Sequence, residues 1–138
     1  MARRIQVEVD GVSAIAELCD DLSPKTAEAF WQTLPIETTL APAKWSGSAC
    51  YFRPGGEHLK TVTANEAPVA SIYPGYIVTR PSGSEALIAY GASEYRWAVG
   101  TDYTTRVAHL VDRGSELLKV LARTHDEGDK RIKITRAQ

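Results

Sequence analysis

The feature that most narrows what this chain can fold into is a period of two. Ile5, Val7 and Val9 alternate with polar neighbours, and after Asp10-Gly11 the alternation resumes at Val12, Ala14, Ala16 and Leu18. Alternation of this kind gathers the apolar set on one face of a strand, and Asp-Gly is a two-residue turn whose positive φ angles suit the twist of a hairpin. The chain therefore opens with an antiparallel hairpin buried on one side. The same pattern returns at 48–52, 76–79, 85–90, 95–99, 104–111 and 130–134, short runs rich in β-branched and aromatic residues with glycines between them. Two of these runs end in similar punctuation, Arg53-Pro54-Gly55-Gly56 and Arg80-Pro81-Ser82-Gly83. There proline presets φ and glycine accepts positive values, so both read as strand-ending turns.

Two segments depart from that period. In the first, Ser23 precedes Pro24, and Ala27, Phe30, Trp31 and Leu34 fall on one helical stripe before Pro35. A serine hydroxyl can cap a free amide there, proline fits the first turn, and Pro35 forbids continuation. The second helix starts from Ser115 as its cap, runs through Leu117, Leu118, Val120 and Leu121, and has Gly128 as its stop. Many short strands with only two helices predict a mainly β fold, a closed β-barrel with two short capping helices, because closure removes the exposed edges of a meander. A chain of 138 residues that is 43% hydrophobic fits one domain, 1–138, with a core of its own.

Charge and composition exclude several classes of function. A formal net charge of -1 supplies no basic field for phosphate backbones or anionic lipids, so neither nucleic acid nor membrane is an expected partner. The longest apolar run, Ala86-Leu87-Ile88-Ala89-Tyr90, is too short to span a bilayer, and Arg3-Arg4 is followed by alternation rather than a signal-type block, which predicts a cytoplasmic protein. Cys19 and Cys50 lack C-x-x-C spacing and sit among apolar residues, the signature of reduced, buried thiols.

The opening strands followed by Ser23-Pro24-Lys25-Thr26-Ala27-Glu28-Ala29-Phe30 resemble the first hairpin and first helix of cyclophilins, whose segment reads P-K-T-x-x-N-F or similar. Together with Trp31, Leu34-Pro35, Ala43-Lys44-Trp45-Ser46-Gly47 and Ile88-Ala89-Tyr90-Gly91, the chain is similar to a family of small uncharacterised bacterial proteins with a cyclophilin-like barrel. That resemblance implies the fold and carries no chemistry with it. Cyclophilins use an F-H-R-x-x-P type segment whose arginine polarises the prolyl amide beside a cup of phenylalanine and methionine. The nearest match, Phe52-Arg53-Pro54, keeps the arginine and lacks the histidine, the spacing and the cup. A divergent peptidyl-prolyl isomerase is therefore an alternative reading, and a non-catalytic oligomeric partner of another enzyme is a third.

No nucleophile elbow, phosphate-binding loop or dinucleotide fingerprint is present, and no cofactor is expected. His58, His109 and His125 have no Cys or His partner at metal-ligand spacing, so no metal is expected either. Cys50 as a nucleophile competes with the commoner role of a core thiol on an alternating strand. What remains is a concentration of aromatic surface and a guanidinium in the middle of the chain: Trp45, Tyr51, Arg53, Tyr90, Tyr95 and Trp97. These residue types stack a ligand and pair a carboxylate. The ordinary alternative is core packing for Trp45 and Trp97 and a turn role for Arg53. The sequence thus predicts a small-molecule ligand in a pocket near Arg53 on the side of the barrel, with Arg53 suited to an anionic group where the ligand carries one, in a protein that assembles as a homo-oligomer.

Overall fold

The computed structural model describes residues 2–112 and 115–137. Strands β1 (Arg4–Val9) and β2 (Val12–Leu18) form the predicted hairpin, with Asp10 and Gly11 at φ 52° and 76° as the turn requires. Helix α1 (Pro24–Thr33) follows, then β3 (Ile36–Pro42) and β4 (Gly47–Phe52). After two short strands, β5 (Pro68–Val69) and β6 (Ser71–Ile72), come β7 (Tyr76–Thr79), β8 (Ala86–Glu94), the two-residue strands β9 (Arg96–Trp97) and β10 (Gly100–Thr101), and β11 (Thr104–Leu110). Helix α2 (Glu116–Ala122), a single turn α3 (Thr124–Glu127) and β12 (Lys130–Ala137) complete the chain.

The wall runs β2-β1-β12-β3-β4-β8-β7-β11, and β11 pairs back onto β2, closing an antiparallel barrel of eight strands. The helices plug opposite ends. Strands β2 and β11 are antiparallel neighbours, α1 follows the end of β2, and α2 follows the end of β11. Ala27 and Phe30 from α1 and Leu117, Val120 and Leu121 from α2 join Ile5, Val7, Leu18, Ile88, Ile132 and Ile134 in one interior cluster.

A second apolar layer lies outside that wall. Leu87, Ala89, Ala49 and Val78 pack with Ala43, Ile72, Tyr76 and Tyr95, while their strand neighbours Ala86, Ile88 and Cys50 face the interior. Strand β8 is buried on both faces here, which is why 86–89 reads as an unbroken apolar run rather than as an alternation.

Three sequence expectations are corrected. Residues 95–99 do not form a strand: only Arg96 and Trp97 are extended, Val99 lies in the turn to β10, and Tyr95 is drawn inward by its N–H bond to the Ala70 carbonyl. Neither serine caps its helix. The Ser23 hydroxyl donates to the Arg106 carbonyl at 2.7 Å, and the Ser115 hydroxyl makes no capping bond. The free amides of α1 are met instead by a distant carboxylate, Glu66, which accepts from the Thr26 N–H and hydroxyl, each at 2.7 Å, and from the Lys25 N–H at 3.3 Å. The predicted helical stripe also has an outlier. Trp31 is only half-buried, between the guanidinium groups of Arg3 at 5.1 Å and Arg136 at 4.6 Å. Both cysteines are free and buried. Among the described residues no helix is long and apolar enough to cross a membrane.

Candidate functional site

The outer layer positions the predicted aromatic residues. A short helical turn, 44–46, places Trp45 just before β4, and a bulge between Gly47 and Ala49 then presses β4 against β8. Gly47 sits at φ 105°, and a Cβ there would lie 2.9 Å from the Ala92 carbonyl oxygen, so no other residue fits this approach. Gly47 is paired with Ser93, which brings Trp45 beside the hairpin of β9 and β10. The Ser46 hydroxyl locks the two segments together: it accepts the Arg96 N–H at 3.1 Å and donates to the Arg96 carbonyl at 3.4 Å.

Between these segments lies a cleft of about 580 Å³, lined by Trp45, Glu85, Tyr95, Arg96, Trp97 and the hairpin tip. Its two tryptophans are half-exposed, Trp45 at 50% and Trp97 at 45%, while Tyr95 is buried at 3%. Side chains behind the cleft hold it in shape. The Tyr95 hydroxyl donates to Glu85 Oε1 at 2.9 Å, and burial, then that bond, hold the phenol well above its ordinary ionisation range. Arg80 stacks over Tyr95 at 5.1 Å and over Trp97 at 5.5 Å, donating to Asp102 at 3.0 Å and to the Tyr103 carbonyl. Asp102 also accepts the Trp97 indole N–H at 2.9 Å, and this bond leads those that hold its carboxyl below the usual carboxylate range.

Of the six residues singled out from sequence, three line this cleft: Trp45, Tyr95 and Trp97. Tyr51 adjoins it, its ring 5.5 Å from that of Trp45, and Arg53 in turn lies over Tyr51 at 5.8 Å. Arg53 is exposed and, among the described residues, makes no hydrogen bond or ion pair. Tyr90 is not brought to the cleft. It packs against the interior cluster, where burial, followed by the nearness of Cys50 and Asp126, raises its phenol. Sequence reasoning missed Arg80, Asp102 and Glu85. Arg80 read as a turn residue, and turn chemistry alone gives no sign that its side chain reaches two rings fifteen and seventeen residues on.

Cys50 is buried, its sulfur 3.2 Å from the Thr124 hydroxyl and 3.5 Å from the Leu121 carbonyl. Burial pushes the thiol up to about 11, only partly offset by Thr124, and this is the opposite of an activated nucleophile. Among the described residues no group of three His, Cys, Asp or Glu side chains is arranged to hold a metal ion.

Solved structures share this architecture. The chain superposes on McbB, solved in complex with tryptophan, with a TM-score of 0.71 at 18% identity, over 96% of this chain and 44% of that one. This chain thus spans less than half of McbB. A hypothetical protein from Archaeoglobus fulgidus gives 0.66 at 16% identity, covering 99% of this chain and 95% of that one. A cyclophilin-type peptidyl-prolyl cis-trans isomerase of Cryptosporidium parvum gives 0.58 at 13% identity, over 100% and 99%. At such identities the likeness establishes a cyclophilin-like fold and no activity. No curated protein matches the sequence. The description that does match, over residues 5–120, is a protein family of unknown function, and the chain belongs to that family, DUF3830.

Proposed function

We propose that this protein binds a small molecule in the cleft between Trp45 and Trp97, on the outer face of the barrel. One observation carries the reading: two tryptophans stand half-exposed around a cleft whose floor is the buried Tyr95. Exposed tryptophan costs hydration free energy, and walls of this kind around a few fixed polar groups are the usual make-up of a small-molecule site. Arg53, which among the described residues has no carboxylate partner and lies one ring beyond Trp45, is the position offered to an anionic group of the same ligand. McbB, which shares the fold, was solved with tryptophan bound, and a ligand of comparable size suits a cleft of about 580 Å³.

Prolyl isomerisation has less support. Phe30 and Phe52 are buried in the interior at 0% and 1% exposure, and Met1 lies outside the described residues, so neither phenylalanine is available to receive a proline ring beside Arg53. A thermal-shift and tryptophan-fluorescence screen of small aromatic and zwitterionic compounds tests the cleft. Ligands found should lose roughly tenfold in affinity in Trp97→Ala or Trp45→Ala. Ligands indifferent to both substitutions place the site elsewhere, and those indifferent to Arg53→Ala return Arg53 to its turn.

A further inference from the structure

We infer that the group this cleft selects is an organic cation, an alkylated ammonium head, with Glu85 as its counter-ion. The inference rests on reading the cleft as the ligand site and adds the chemistry of what enters it. The charges around the cleft pair off unevenly. Arg96 is bound to Glu94 at 2.8 Å, and Arg80 to Asp102 at 3.0 Å. Glu85 has a single partner among the described residues, the neutral Tyr95 hydroxyl on Oε1, and no cation within ion-pair distance. The charge left over inside the cleft is therefore one carboxylate. Its orientation is fixed by a buried phenol on Oε1, which leaves Oε2 to face the ammonium as a counter-ion.

The rings reinforce that sign. Aromatic faces carry negative potential, tryptophan most strongly, and an ammonium enclosed by several of them is held by attraction as well as by contact. Tyr95 and Trp97 already bind one cation from the protein itself, the Arg80 guanidinium, and Trp97 stays 45% exposed with Arg80 in place. Arg80 brings Asp102 with it, so its charge is neutralised behind the rings. An anion placed in the cleft would meet Glu85 unpaired. Arg53, beyond Tyr51, is where an anionic group is accepted, so a ligand with both charges would lie with its ammonium between the tryptophans.

Calorimetric titration of choline against its uncharged isostere, in which carbon replaces nitrogen, tests this on the intact protein at low ionic strength. Choline should bind about tenfold more tightly or better. Glu85→Gln keeps an acceptor for the Tyr95 hydroxyl and should erase most of that preference while leaving the isostere unchanged. Trp97→Leu should weaken both probes, and Trp97→Phe should restore part of the choline affinity. Unchanged circular dichroism separates these effects from unfolding. Equal binding of the two probes, both sensitive to Trp97→Leu, overturns the cation and leaves the cleft standing. Binding of both probes that ignores Trp97→Leu overturns both readings. Failure of choline to bind overturns the cation, and the cleft is then decided by the wider screen.

Discussion

The buried thiol of Cys50 makes the chain's alkaline stability calculable. The side chain is 0% exposed inside the barrel, and burial raises it from 9.0 to about 11, with Thr124 opposing the rise. Below pH 9 the thiol is neutral in both folded and unfolded chains, and its contribution is constant. Between 9 and 11 the unfolded chain releases the proton and the folded one retains it, so unfolding is favoured as pH rises; above 11 both ionise and the loss levels off. Two pH units at about 1.4 kcal/mol each put the full loss near 3 kcal/mol. Cys50→Ala removes this dependence and leaves the Thr124 hydroxyl bonded to the Leu121 carbonyl at 2.7 Å. Every other group of the chain is common to both proteins, so the informative quantity is the difference. Urea midpoints at pH 7.5 and pH 10.5 should fall further in the wild type than in Cys50→Ala, by about 2 kcal/mol after conversion with the m-value. Parallel falls would show that the folded chain accommodates the thiolate, which would restore Cys50 as a candidate nucleophile.

Phe30→Ala should cost about 3–5 kcal/mol in urea unfolding, because a fully buried ring is removed from the plug at one end of the barrel. Glu66→Ala should cost about 1 kcal/mol, on the scale of a helix cap. Partial burial raises the Glu66 carboxyl, but the bonds from Thr26 and Lys25 outweigh it and leave it lowered; the variant should therefore lack a loss of stability that the wild type shows as pH falls below 4.5. Replacing 96–101 with a short glycine turn should abolish ligand binding and leave the cooperative unfolding of the barrel intact, since no residue of that hairpin belongs to the interior cluster; collapse of the fold would refute the independence of the two layers. The chain should form at least a dimer, and light scattering that returns the mass of one chain across a wide concentration range would refute that.

Local grammar was enough to recover most of the barrel. The Asp10-Gly11 hairpin and the Ala27–Phe30–Leu34 stripe each depend on neighbours a few residues away and lie where the pattern put them, whereas the second helix breaks at Arg123 and Gly128 closes only the single turn that follows. What failed was non-local. Ser23 looks like a cap, yet its hydroxyl is claimed by Arg106, eighty-three residues on, and the cap comes from Glu66 across a loop. Tyr90 shows how far parity alone could have gone. It shares strand parity with Ala86 and Ile88 and opposes Leu87 and Ala89, so β8 could not send both Tyr90 and Leu87 to the same side. Which side is the outer one depends on the closure of β11 onto β2, and no short window of sequence contains that pairing.

The same closure divides the buried residues into an inner and an outer layer. An eight-stranded barrel is just wide enough for its own side chains, and here Phe30, Phe52, Leu40 and Ile132 are among the buried side chains that pack its interior. The proposed cleft lies on the outside, against a wall that is already apolar. Strands β4, β7 and β8 supply that wall, because their outward residues are covered by 68–76 and by Tyr95 rather than left to water. The cover ends at the hairpin of β9 and β10, and it is at that margin that Trp45 and Trp97 stay open and Glu85, among the described residues, has no cation partner. A cleft at the edge of a second layer can change its lining through a few hairpin residues while the barrel keeps its core, so the proposed function is to be tested in the cleft residues and not read from the fold.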